Sequence, residues 1–148
     1  MFQFDQTDRG PKSVVIMGCG SVGSTIAAAL AEQGHMVHIL DVSADAFRQL
    51  PSSAVDSGRI VTIVADGTLD KSLRRTPIED SDLFIAVSGL DNRNALAAQM
   101  AKQLHGVGNV VCRVDEPVKN QMYRDMGLGA VSATSLVSAS VVQVARGQ

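Results

Sequence analysis

The sequence has few aromatic residues and no block of basic charge, and these two scarcities argue against one class of partner. Tryptophan is absent, and aromatic residues make up 3% of the chain. Proteins that bind single-stranded nucleic acid stack bases on aromatic side chains, and those that bind duplexes present a basic surface. A chain with a net charge of −2 and few aromatics therefore predicts no nucleic-acid partner.

Long apolar runs and cysteines are also scarce. No run of about 20 apolar residues, the length that a membrane-spanning helix needs, occurs in the sequence. Residues 1–12 lack the apolar centre of a signal peptide, and we expect them to form a flexible tail. The two cysteines, Cys19 and Cys112, match no metal-ligand spacing and suit a reducing cytoplasm, so we interpret them as small core residues.

What the sequence does contain is a regular alternation of strand-like and helix-like segments over residues 13–148. We expect strands at 13–17, 36–41, 60–64, 82–87, 109–114 and 130–132. Helices are predicted at 21–33, 44–50, 69–75, 92–105, 118–126 and 135–146, with a loop at 52–58. This alternation predicts one α/β domain of the Rossmann type, a doubly wound parallel sheet of six strands in the order 3-2-1-4-5-6, and no second domain.

A glycine motif lies between the first strand and the first helix. Gly18, Gly20 and Gly23 have the G-x-G-x-x-G spacing of dinucleotide-binding loops. The first glycine permits a tight turn, the second lets a pyrophosphate approach the backbone, and the third lets the helix pack on the strand. The N-terminus of the helix then points free N–H groups and the positive end of its dipole at the phosphates.

Asp41 ends the second predicted strand, 18 residues after Gly23. A carboxylate at this position accepts hydrogen bonds from the hydroxyls of an adenosine ribose and repels a 2′-phosphate, which favours NAD or a plain adenine nucleotide over NADP. The alternative is that the glycine loop binds nothing and that Asp41 caps the next helix.

Further candidate ligand contacts follow the third, fourth and fifth strands, at the carboxyl edge of the sheet, where such folds bind ligands. Asp66-Gly67-Thr68 follows the third strand, with Thr68 also a candidate N-cap, and Ser88-Gly89 follows the fourth. Arg113 lies near the end of the fifth strand, within reach of a phosphate or a partner subunit. Ser43 and Asp91 are predicted to cap the helices that follow them.

The predicted domain takes up residues 13–148, which leaves no room for a separate catalytic domain. We find no Ser/His/Asp set, P-loop lysine or paired carboxylates, and His35 and His105 are predicted away from the ligand edge. We therefore predict a binding module and not an enzyme. The alternative is a small NAD-dependent oxidoreductase or the detached cofactor-binding domain of one.

The last predicted helix, at 135–146, is rich in valine, alanine and serine. An apolar terminal helix is compatible with an assembly surface and equally with packing on its own sheet.

Four segments together resemble the N-terminal RCK domain, also called the KTN or Trk-type nucleotide-binding domain. They are VVIMGCGSVGSTIAAALAEQGHMVHILDVSADAF, IVTIVADGT, DLFIAVSGLDNRNALAAQMAK and NVVCRVDEPVKNQMYRDMGLGAVSATSLVSASV. The resemblance implies a cytoplasmic regulatory subunit of a potassium channel or transporter, peripheral at the inner face of the plasma membrane. It further implies a homodimer, assembled into a ring against a membrane-embedded pore protein, that binds NAD(H) or ATP, ADP or AMP.

The residues that the motifs and this resemblance together predict to bind the nucleotide lie in four groups along the carboxyl edge. They are Gly18, Cys19, Gly20, Ser21, Val22 and Gly23, then Asp41 and Val42, then Asp66, Gly67 and Thr68, and finally Ser88, Gly89 and Arg113. Many members of the family have arginine after the second glycine, where this chain has Ser21, which weakens the case for sensing ATP.

Overall fold

A computed structural model describes residues 10–148 of the chain. Most of the predicted tail, residues 1–9, lies outside the described residues. Lys12 is the last residue of the predicted tail. Its amide donates to Nδ1 of His35, and its carbonyl accepts from the amide of Met36. Lys12 is thus bonded alongside the start of the second strand.

The centre of the fold is a parallel sheet of six short strands. The strands are β1 (Ser13–Met17), β2 (Met36–Asp41), β3 (Ile60–Val64), β4 (Leu83–Ala86), β5 (Val110–Arg113) and β6 (Gly129–Val131). Their order is β3-β2-β1-β4-β5-β6, and every neighbouring pair is parallel. The predicted Rossmann-type sheet and its strand order are therefore confirmed. The strand order reverses once, because β2 lies on one side of β1 and β4 on the other, and the carboxyl ends of these three strands therefore lie beside one another.

A helical segment follows each strand, as the crossover connections of a parallel sheet require. The α-helices are α1 (Ser21–Glu32), α2 (Ser52–Asp56), α3 (Asp70–Leu73), α4 (Asp91–Gln103), α5 (Pro117–Asp125) and α6 (Ala133–Ala145). Two 3₁₀ segments, Ala44–Gln49 and Ile78–Asp80, complete the connections. None of the helices in the described part of the chain is long and apolar enough to cross a membrane.

The region after β2 differs from the prediction. The expected helix at 44–50 is a 3₁₀ segment, and the expected loop at 52–58 contains α2. Pro51 ends the first of these segments but precedes the second, where its carbonyl accepts from the amides of Ala54 and Val55. A proline stops the helix before it, because it lacks an N–H, and its fixed φ suits the start of the helix after it.

Of the two predicted caps, Ser43 stands at the N-cap position of its 3₁₀ segment without a side-chain bond, and the prediction for Asp91 is wrong. The Ser43 side chain makes no capping hydrogen bond, and its amide instead donates to Asp41. Leu90, not Asp91, is the N-cap of α4, and the Asp91 carboxylate accepts from the amides of Asp115 and Glu116 beyond β5. The Asp91 carboxylate thus bonds to backbone amides 24 and 25 residues further along the chain, and a sequence pattern for local capping does not detect contacts at that separation.

Each face of the sheet has its own apolar layer. Val15 and Met17 of β1 pack with Phe84 and with Ala97 and Ala101 of α4 on one face. On the other face, Val14 and Ile16 pack with the α1 alanines Ala27 and Ala31. Because strand side chains alternate between faces, one strand contributes to both layers. The alanines let the helices lie close to the sheet, which fixes the start of α1 against the end of β1.

Candidate nucleotide-binding site

The glycine loop joins β1 to α1 in a tight turn. Gly18 has φ of +105°, a conformation that residues with a side chain rarely adopt, and its amide donates to the carbonyl of Leu40 at 2.8 Å. A Cβ atom at Gly23 would collide with the carbonyl oxygen of Gly18, whereas one at Gly20 would meet no protein atom within 4 Å. Gly18 and Gly23 are thus required by the fold, and Gly20 leaves open space above the loop.

The first turn of α1 has no side chain to satisfy its backbone donors. No side chain caps the helix, and the turn contains no acidic residue. The buried hydroxyl of Ser24 donates back to the carbonyl of Gly20 at 2.7 Å, which holds the loop against the helix. The unpaired N–H groups and the dipole of this helix suit an anionic ligand group above Gly20.

Asp41, at the end of β2, is fixed by two backbone amides. Its Oδ2 accepts from the Cys19 amide at 2.8 Å, and its Oδ1 accepts from the Ser43 amide at 2.9 Å. A carboxylate has about four acceptor positions, so each oxygen retains capacity for one hydroxyl. The two amides set the orientation of this carboxylate before any ligand arrives, and its free acceptor positions suit the two hydroxyls of an adenosine ribose.

Asp66, after β3, is the centre of a second polar group. Its Oδ1 accepts from the Thr68 hydroxyl at 2.6 Å, the Thr68 amide at 2.9 Å and Nη2 of Arg93 at 2.7 Å. The hydrogen bonds from Thr68, assisted by the charge of Arg93, hold the pKa of Asp66 below its usual value. Thr68 therefore supports Asp66 and does not cap α3, whose N-cap is Leu69.

The end of β4 is held by Asn94, a completely buried residue of α4. Its Oδ1 accepts from the amide and the hydroxyl of Ser88 at 2.8 and 2.6 Å. Its Nδ2 donates to the carbonyls of Ser88 and Arg113 at 2.9 and 3.0 Å. Asn94 thus joins the ends of β4 and β5, a role that no motif in the sequence indicated.

Arg113, at the end of β5, forms an ion pair with Asp115. Its Nε and Nη2 donate to Oδ2 of Asp115 at 3.1 and 3.0 Å. The other oxygen, Oδ1, accepts from the Ala133 amide at the start of α6 at 2.8 Å. Burial raises the pKa of Asp115, but the hydrogen bonds from Arg113 and from the Ala133 and Thr134 amides outweigh it and lower the pKa overall. The sequence carried one indication of this ion pair, because residues two apart on an extended segment, such as Arg113 and Asp115, lie on the same face.

These elements enclose a cleft of about 340 Å³ at the carboxyl edge of the sheet. Eight of the nine lining residues are among those predicted to bind the nucleotide, and Val87 is the ninth. The lining residues are Gly18, Gly20, Ser21, Val22, Asp41, Val87, Ser88, Gly89 and Arg113.

The other predicted site residues lie around this cleft and do not line it. The side chain of Cys19 is buried beneath the loop, Gly23 packs inside the β1–α1 turn, and the Val42 side chain is 64% exposed. Asp66, Gly67 and Thr68 form the neighbouring turn at the end of β3, with Gly67 packed on Met17. Within residues 10–148, no group of three or more His, Cys, Asp or Glu side chains is placed to hold a metal ion.

A parallel sheet in this order, with a glycine loop and an acid at the end of β2, defines a Rossmann-type nucleotide-binding domain. The chain belongs to the TrkA-N domain family, whose model matches residues 14–136. The predicted resemblance to Trk-type domains is confirmed by this match.

The chain is similar to the Trk system potassium uptake protein TrkA of Streptomyces coelicolor. The two are 42% identical over 119 residues, which is 80% of this chain and 52% of that protein. The chain thus spans about half the length of this relative.

Solved structures confirm the fold at low sequence identity. The TrkA-N domain of the inner membrane protein ybaL from Escherichia coli superposes with a TM-score of 0.77 at 10% identity, covering 91% of this chain and 97% of that one. The Kef C-terminal domain of Shewanella denitrificans in its AMP-bound form gives 0.73 at 19% identity, covering 87% and 76%. The GsuK channel bound to NAD gives 0.65 at 17% identity, covering 85% of this chain and 22% of that one.

Proposed function

We propose that this chain is a nucleotide-binding regulatory domain that controls potassium transport by a membrane channel or transporter. The observation that carries the proposal is the cleft itself, in which an open glycine loop, an uncapped helix N-terminus and the pre-oriented Asp41 meet. Phosphate suits the first two, and a ribose diol suits the third. The potassium uptake role of the Streptomyces relative gives the process.

The ligand is NAD(H) or an adenine nucleotide. Asp41 favours an unmodified ribose over a 2′-phosphorylated one, since a phosphate there would face a carboxylate. The AMP-bound Kef domain and the NAD-bound GsuK channel, which share the fold, support both ligand types.

The domain binds its ligand without transforming it. The titratable side chains that line the cleft, Asp41 and Arg113, are both engaged, the first by two backbone amides and the second by Asp115. Groups held in this way suit recognition better than proton transfer, which requires a group free to exchange its proton with the substrate.

The regulatory role requires that ligand binding change how the domain contacts its partners. We propose that the domain lies in the cytoplasm at the inner face of the plasma membrane, and that it forms a homodimer and higher ring assemblies through α6. A ligand alters such an assembly only if its affinity differs between two states of the domain.

The first experiment is calorimetric titration of the purified chain with NAD⁺, NADH, AMP, ADP and ATP. We expect at least one to bind, and we expect Gly20→Val to abolish binding because its side chain fills the space above the loop. Asp41→Asn should weaken binding by about tenfold or more, the effect of removing a charged hydrogen-bond acceptor.

Gly108→Val is the matched control, because Gly108 is also exposed with open space at its Cβ but precedes β5 at the opposite edge of the sheet. The control should bind like the unmodified chain. Absence of binding by all five nucleotides, or equal binding by Gly20→Val, would show that the cleft is not a nucleotide site.

A further inference from the structure

The charges around the cleft are unusual for a site that receives phosphates. Two charged side chains line it, the acid Asp41 and the base Arg113. A second arginine at this edge, Arg93, is paired with Asp66 at 2.7 Å. Both of these arginines thus contact an aspartate. Among residues 10–148, two further cations at this edge do not: Nη1 of Arg75 donates to the Val64 carbonyl, and Nζ of Lys119 donates to Asn92, each at 3.3 Å, and neither side chain lines the cleft.

The pair of Arg113 and Asp115 is partly shielded from solvent and rigidly held. Both side chains are 28% exposed, and two guanidinium nitrogens share one carboxylate oxygen. Asp115 is fixed in turn, because its Oδ1 accepts from the Ala133 amide and its own amide donates to Asp91. Asp115 is thus held in position by its contacts with Ala133 and Asp91 as well as by Arg113.

We propose that Asp115 determines how much phosphate charge the cleft accepts: by neutralising Arg113, it selects AMP and NAD(H) over ADP and ATP. With Arg113 compensated, the residues that line the cleft offer no uncompensated cation to a further phosphate, and each added phosphate charge meets the field of Asp41. This inference deepens the proposed function and rests on it, because it takes the cleft to be the nucleotide site.

The test is a comparison of AMP, ADP and ATP binding to the chain and to Asp115→Asn, at low salt and with EDTA to remove magnesium. Asparagine has the shape of aspartate and keeps an oxygen for the Ala133 amide, so the change removes the charge and the two hydrogen bonds from Arg113 and leaves Arg113 uncompensated. At roughly 7 Å in a water-like dielectric, one charge alters affinity about threefold for each phosphate charge. The ratio of ATP to AMP affinity should therefore rise about tenfold in Asp115→Asn, and this gain should shrink at high salt, where charges are screened.

Two further variants separate this effect from a general change in charge or folding. Asp125→Asn, in the last turn of α5 where Asp125 accepts from Gln121, removes the same charge outside the cleft and should leave the ratio unchanged. Arg113→Gln leaves Asp115 uncompensated, so the ratio should fall, opposite in sign to the effect of Asp115→Asn.

The outcomes distinguish this inference from the function on which it rests. An unchanged ratio in both Asp115→Asn and Arg113→Gln, with nucleotides still bound, would overturn the role of Asp115 and leave the nucleotide site standing. If the unmodified chain binds no nucleotide at all, the proposed function fails, and this inference fails with it. A rise in one variant and a fall in the other would establish Asp115 as a specificity-determining residue.

Discussion

Asn94 is the buried residue on which the ligand edge depends most. It uses both of its amide atoms, accepting twice from Ser88 and donating to the carbonyls of Ser88 and Arg113. Two cleft-lining residues on different strands thus share one buried partner. A buried polar group that loses such a partner keeps the cost of leaving water and gains nothing in return.

We expect Asn94→Ala to destabilise the chain by about 3 kcal/mol, because it leaves buried backbone and hydroxyl groups unpaired. Urea unfolding at neutral pH measures the change. Asn92→Ala is the control on the same helix, since among residues 10–148 the exposed Asn92 side chain accepts from Lys119 alone, and it should cost less than about 0.5 kcal/mol. A loss below about 1 kcal/mol for Asn94→Ala would mean that water replaces these bonds.

The difference between Asp41 and Asn94 shows what the sequence could predict at this scale. Asp41 was found because it stands at a fixed distance along the chain from the glycine loop, and that loop and β2 are adjacent in every sheet of this order. Asn94 could not be found in this way. Its partners depend on how α4 packs against the ends of β4 and β5, and an asparagine near the start of a helix has many other uses.

At the scale of elements, α6 is the one whose packing differs most from that of its neighbours. No residue of α6 is buried, although the helix carries large apolar side chains. Val137, Val141 and Val144 recur at i, i+4 and i+7, which places them on one helix face, and they are 61%, 61% and 74% exposed. The alternative of packing on its own sheet is therefore wrong, and the assembly surface remains as a prediction.

We expect the chain to dimerise through this face of α6 and Val137→Asp to prevent it, because a buried dimer contact does not tolerate an unpaired carboxylate. Sedimentation velocity over a range of concentrations measures the state of association. Ala139→Asp adds the same charge on the opposite side of the helix and should leave the dimer intact. A monomeric unmodified chain, or a Val137→Asp variant that still dimerises, would contradict the prediction.

The contrast between the strands and the short helices explains which elements the sequence predicted well. The strands lie within one or two residues of their predicted bounds, because a strand covered on both faces needs a continuous apolar run. The α2 segment was missed because its five residues include none that is buried. A helix that short has no apolar periodicity to detect, and only the position of Pro51 hinted at it.

At the scale of the whole molecule, the sheet separates two apolar layers, and each of them contains one cysteine. Cys19 belongs to the layer under α1, and Cys112 belongs to the layer under α4. Both side chains are fully buried. Burial, with smaller contributions from Asp41 and Asp91 respectively, raises the pKa of each thiol to about 11. The native chain thus protects both thiols by limiting access and by suppressing the reactive thiolate.

These two thiols report whether the layers open together. A chain of 148 residues with one sheet shared by both layers should unfold in a single cooperative step. We therefore expect Cys19, measured in Cys112→Ala, and Cys112, measured in Cys19→Ala, to react with a disulfide reagent at the same rate once each variant's own unfolding free energy is taken into account. A saturating nucleotide should slow both reactions by the same factor, because a ligand that binds only the folded state stabilises all of it equally.

If Cys19 reacted more than about tenfold faster, the layer under α1 would open by itself, at a cost about 1.4 kcal/mol lower than global unfolding. The glycine loop would then be able to rearrange without disturbing β4 to β6, and ligand binding at Asp41 would be separable from events at α6.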